Sequence, residues 1–207
     1  MKLKTASPSA PRPYRQTARA RAASARDNDI LNSFHALLAG RWLDQFTLQD
    51  VARGAGVTQQ TVIRKFGGKE GLLEALVLEL RPQVVARRAV APGDIARAID
   101  VLMEDYDADG AFFMRLLSQE ERFPVLRRFL DIGRREHRAW VERIFAPWLT
   151  RLKPAARNET LDALVAAMDL YVWQLLRRDL GFEPVRARAA MRRLVTGVLD
   201  GLGTQST

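Results

Sequence analysis

Apolar residues recur three and four positions apart along most of this chain, the spacing that collects them on one face of an α-helix. Nowhere do apolar and polar residues alternate convincingly, so strands are not expected. Ile30, Phe34, Leu37 and Leu38 form the first stripe and predict a helix over 27–41, weakened near its end by Gly40. Thr47 is placed to cap a short second helix, with Asp50 reaching back to complete a capping box and Leu48, Val51, Ala52 and Ala55 turned inward. After Gly56 and Val57, Thr58 opens a third helix that buries Val62 and Phe66 and ends at Gly67 and Gly68. A fourth begins near Lys69, carries Leu72, Leu73, Leu76, Val77 and Leu80, and is expected to stop at Pro82.

Past a loop through Pro92 and Gly93, the pattern predicts helices at 94–106, 110–121, 124–152, 158–180 and 184–202, with Pro and Gly at their boundaries. The fold class is therefore all-α. The chain divides into 1–26, 27–81 and 82–207.

Charge alters this picture at the N-terminus. Lys2, Lys4, Arg12, Arg15, Arg19, Arg21 and Arg26 are unaccompanied by any acid before residue 27, among Pro8, Pro11, Pro13 and small residues, which reads as a disordered basic arm. Two uses of such an arm stay open: a solubilising tail, or a strand of charge lying along phosphates or in a minor groove. Over the 207 residues, 33 Lys and Arg against 24 Asp and Glu leave a formal net charge of +9, which favours polyanionic partners. At 47% hydrophobic residues the chain has material for a core. It has no Cys, hence no disulfide and no thiolate metal site. No signal-peptide core or bilayer-length apolar run is found, so a cytoplasmic protein with no membrane association is expected.

The second and third helices carry the candidate chemistry. A helix-turn-helix needs a small residue where its helices cross, a Gly to turn the chain, and apolar residues locking the pair; Ala52, Gly56, Val57 and Val62 stand in those places. The second helix of such a motif must present short or planar polar groups near its N-terminus to base edges, a demand that Gln59, Gln60 and Thr61 answer. Arg64, Lys65 and Lys69 supply cations for phosphates.

The run TLQDVARGAGVTQQTVIRKFGGKEGLLEAL, preceded by the helix with Phe34, resembles the DNA-binding domain of the TetR family of regulators over residues 27–81. Val57, Thr58, Thr61, Val62, Phe66, Lys69 and Glu70 match the family's pattern, whereas Ile63 stands where it usually has a phosphate-binding Tyr and Lys65 where it often has His. The resemblance implies a sequence-specific regulator, by family tendency a repressor released from a palindromic operator by a small apolar or amphipathic effector. It implies phosphate contacts from Thr47 and Lys69, with Thr58 at the helix start, and base contacts from Gln49, Gln59, Gln60 and Thr61.

In the same resemblance, 82–207 would be a helical effector-binding and dimerisation domain. Phe113, Leu117, Trp140, Ile144, Met168 and Tyr171 are candidate ligand-lining residues, to be weighed against ordinary core packing. The stripes Leu161, Leu164, Val165, Met168, Val172, Leu175 and Met191, Leu194, Val195, Val198, Leu202 are candidates for a homodimer's helix bundle.

Other chemistries fit poorly. Asp105, Asp107, Asp109 and Gly110 resemble the opening of a calcium loop, but Leu116 falls where the closing Glu belongs, and the run is read instead as a loop joining two helices. His35 and His137, in separate helices, form no metal or catalytic pattern, and FGGKEG lacks the spacing and hydroxyl of a phosphate-binding loop. Neither catalysis nor a cofactor or metal is expected.

Overall fold

A computed structural model describes residues 13–204, with side chains described over 24–202. The described residues form two compact units, divided between Leu72 and Leu73.

In the first unit, α1 (Pro13–Gly40) is followed by α2 (Leu48–Gly54), α3 (Gln59–Phe66) and the opening of α4 (Lys69–Arg87). The start of α1 departs from expectation: the helix runs back through Arg26 to Pro13, a residue whose fixed φ suits a first helical turn. The part of the expected arm before Pro13 lies outside the described residues. Ile30, Phe34 and Leu38 are fully buried, and Phe34 meets Phe46 edge to face at 5.8 Å between ring centroids. Helices α1 and α2 approach closely because Gly54 has no side chain; a Cβ there would collide with the Ser33 hydroxyl, which donates to the Val51 carbonyl at 2.9 Å.

Both caps expected in this unit are present. Thr47 and Asp50 exchange hydrogen bonds in a complete capping box, and the Thr58 hydroxyl accepts from the Thr61 N–H at 3.3 Å. Gly56 takes φ +64°, the left-handed conformation that lets α2 turn into α3, while the Val57 N–H closes α2 by donating to Ala52 at 3.0 Å.

The second unit is built from the rest of α4 with α5 (Ile95–Leu117), α6 (Pro124–Ile144), α7 (Ala146–Leu149), α8 (Pro154–Ala167), α9 (Leu170–Trp173) and α10 (Pro184–Thr204). A π-helical turn, Gln174–Asp179, continues α9. Two expectations are corrected here. Pro82 does not end α4, which continues to Arg87. Beyond the proline, the Gln83 side-chain amide donates to the Glu79 carbonyl at 3.4 Å, and the helix end is held by ion pairs from Arg87 and Arg88 to α5.

Residues 107–110 are not a loop either, because α5 runs through them unbroken. Each carboxylate there has a cationic partner: Arg88 and Arg87 hold Asp105, Arg177 and the Trp173 indole N–H hold Asp107, and Arg87 holds Asp109. At Gly110 the helix has room for no side chain, because the Trp173 ring occupies the space a Cβ would need. Tertiary packing thus outweighs the turn-like composition of the run.

The long helix expected over 124–152 divides at Phe145, with Pro147 in the first turn of α7. The one expected over 158–180 starts earlier, at Pro154, and breaks where Asp169 caps α9 through the Tyr171 N–H. Among the described residues no strand is assigned, and no helix is long and apolar enough to cross a membrane.

Candidate nucleic-acid interface

The geometry of α2 and α3 follows from which side chains their shared core consumes. Val51, Ala52 and Val62 are buried, so the opposite sides of both helices are left to polar residues. Gln49, Thr58, Gln59, Gln60, Arg64 and Lys65 are exposed and Thr61 is half-buried. Helical periodicity places Gln59, Gln60 and Arg64 on the outer and flanking surface of α3, while Thr61 and Lys65 lie round the other side.

The hydrogen bonds separate these residues into two groups. The side chains of Gln49, Gln59, Gln60 and Arg64 make no hydrogen bond or ion pair among the described residues, so three amides and a guanidinium stand ready for an incoming ligand. The remaining candidates are engaged. The Thr47 hydroxyl donates to Asp50 at 2.8 Å, and the Thr58 and Thr61 hydroxyls lie 2.9 Å apart. Lys65 is paired with Asp27 on α1. Lys69 donates to the carbonyls of Leu43 and Phe46, and its ammonium sits 4.5 Å from the centroid of the Phe46 ring.

Electrostatics agree with that division. Hydrogen bonds from Thr47, backbone first and hydroxyl second, hold the Asp50 carboxyl below the usual range, so it stays ionised and keeps the cap closed. Burial lowers the pKa of Lys69, an effect opposed by Asp44 and Asp50. Lys69 therefore fixes the loop before α2 through its carbonyls. Asp27, Ser33 and the carbonyls of Leu43 and Phe46 all position this surface, and none is marked in the sequence, because each acts on a residue at least eighteen positions away.

The ligand candidates of the second unit fall into two places. Trp140, Ile144 and Met168 belong to the buried core, with Phe113 and Leu117 packed against it. Tyr171 stands apart at 56% exposure, beside a surface recess of about 410 Å³ that Arg138, Asp162 and Asp169 also line. Of the two apolar stripes, Leu161, Leu164, Met168, Met191 and Val195 are consumed by the core, whereas Leu175 and Leu194 remain about half exposed.

Comparisons with known proteins place this geometry. Residues 30–76 match the family model described as bacterial regulatory proteins, tetR family. Over 73 residues the chain is 37% identical to the HTH-type transcriptional regulator AlkX of Mycobacterium tuberculosis, a match that covers 35% of this chain and 33% of that protein. The similarity therefore spans about a third of that relative's length. Two solved structures share the fold across both units. One is a regulator from Rhodococcus sp. assigned to the TetR family, with TM-score 0.64 and 19% identity over 84% of this chain and 98% of the other. The second is a transcriptional regulator from Rhodococcus sp. Rha1, with TM-score 0.65 and 17% identity over 84% of this chain and 96% of the other. Over residues 30–76 the N-terminal unit is thus similar to the tetR family of bacterial regulatory proteins, and the chain as a whole shares the fold of the two Rhodococcus regulators.

Proposed function

We propose that this protein is a cytoplasmic, sequence-specific repressor that binds a palindromic operator as a homodimer and is released by a small apolar or amphipathic effector, without catalysis or a cofactor. The observation that carries the reading is the set of free amides on one exposed surface. Gln59 and Gln60 occupy the first turn of α3, the part of a recognition helix that meets base edges, and each can bond adenine through two groups at once. Gln49 adds a third amide from α2. Arg64 takes phosphate directly, and Thr47, Thr58, Lys65 and Lys69 do so by exchanging present partners for phosphate oxygens.

A single short helix buries too little for a tight complex, so two half-sites are needed. Tyr171, Leu175 and Leu194 are among the exposed apolar side chains that a second copy would cover, and on a symmetric site the two reading helices would have to sit roughly 34 to 36 Å apart. An effector acting from the second unit would favour a state with the wrong spacing, transmitted along α4.

Selection from a random duplex pool at physiological salt tests this directly, with Gln59→Ala and Gln60→Ala alongside the native protein. The expected result is an enriched palindrome whose preference both substitutions relax. Binding without enrichment, abolished uniformly by salt, would mean a nonspecific binder and would end the proposal.

A further inference from the structure

We infer that Ile63 reads thymine methyl groups in the major groove, a role that rests on the assignment of α3 as the base-contacting helix. Among the described residues of the N-terminal unit, Ile63 is the one large apolar side chain left exposed, at 36%. The core has no need of it, since buried Val62 and half-buried Phe66 already supply the inner face of α3. Nor does local structure favour it there: a β-branched residue on an open helix surface loses rotamer freedom and leaves apolar area in water.

Its position supplies the missing reason. Ile63 follows Gln59 by four residues and Gln60 by three, so it shares their side of α3. Lys65 lies round the other way, where it meets Asp27. An amide that pairs with adenine N6 and N7 is looking at an A·T pair, and the partner base of that pair projects its C5 methyl into the same groove. An amide and an apolar group side by side are thus complementary readers of A·T-rich sequence. Cytosine offers no such methyl, and a phosphate would gain nothing from Ile63.

Deoxyuridine provides the test, because it keeps the pairing of thymine and lacks only the methyl. Each thymine of the selected operator is replaced in turn by deoxyuridine, and the affinity of the full chain and of Ile63→Ala is measured by fluorescence anisotropy at fixed salt. Burial of one methyl predicts a loss on the order of four-fold per half-site at one thymine position for the native protein. Ile63→Ala should bind the thymine duplex more weakly by a similar factor and be indifferent to deoxyuridine at that position. An unchanged thermal midpoint should accompany this, as Ile63 lies outside the buried core. The role is overturned if no thymine matters to the native protein, if Ile63→Ala keeps the same sensitivity, or if the selected half-site contains no thymine. Any of these leaves sequence-specific binding standing; failure to enrich any sequence removes both inferences together.

Discussion

The Asp105 carboxylate, only 4% exposed, accepts two hydrogen bonds from the Arg88 guanidinium, at 2.8 Å from Nε and 2.5 Å from Nη2. Arg87 meets its other oxygen at 2.7 Å, and the Trp140 indole N–H donates to the Arg88 carbonyl at 2.8 Å. These bonds hold the C-terminal end of α4, the helix on which Pro82 lies.

Removing one member of that group should cost far more than removing the pair. Asp105→Ala strands the Arg88 guanidinium in a buried setting, and a loss of about 3 to 5 kcal/mol in chemical denaturation is expected. Asp105→Leu combined with Arg88→Met should be milder than either single change. A double variant less stable than Asp105→Ala would contradict this account.

Gly110 should tolerate no side chain. A Cβ there would lie 2.7 Å from the Trp173 ring, so Gly110→Ala forces the indole from its hydrogen bond with Asp107. The overpacking predicts a loss of about 1 to 3 kcal/mol, although alanine is the better helix former. Thermal unfolding measures it, and Trp173→Leu in the same chain should recover part of the loss.

Asp27 should restrain DNA binding through Lys65. Both side chains are about one-third exposed, so the pair adds at most about 1 kcal/mol to stability. Asp27→Asn releases the ammonium for phosphate. Affinity for the operator should rise, and Lys65→Ala should flatten the slope of log K against log salt by about 0.9 per half-site. Equal slopes for the native protein and Lys65→Ala would show that Lys65 does not reach phosphate.

His137 predicts a pH dependence of stability. Burial, with the charge of Arg88 second, pushes its imidazole down to about 4; a weak contact with the Val165 carbonyl acts the other way. The ring is 9% exposed and stacks on Trp140 at 6.1 Å. The unfolded chain therefore takes up this proton near pH 6.5 while the folded chain resists it down to about 4. Its contribution, on the order of 3 kcal/mol, is complete above pH 6.5 and is lost as pH falls toward 4. His137→Phe should flatten that part of the denaturation profile; an unaltered slope would place the titration elsewhere.

Much of the N-terminal unit is visible in sequence because its determinants are local. The Thr47 box, the Thr58 cap and the turn at Gly56 all join residues within a few positions, and each requires a particular residue type. The second unit is less legible for the opposite reason. Asp107 and Gly110 look like loop residues until Trp173, more than sixty positions away, is packed against them.

What the order of residues determines by itself is the all-helical class, the caps and turn of α2 and α3, and the polar character of the surface they share. Those features depend on periodicity and on backbone groups needing partners close along the chain. Tertiary structure alone decided that α4 passes Pro82, that α5 is unbroken, that Lys65 and Lys69 are held by internal partners, and that Ile63 is exposed. Each of these depends on charges and volumes brought together from distant positions, where the energy of packing exceeds local preference.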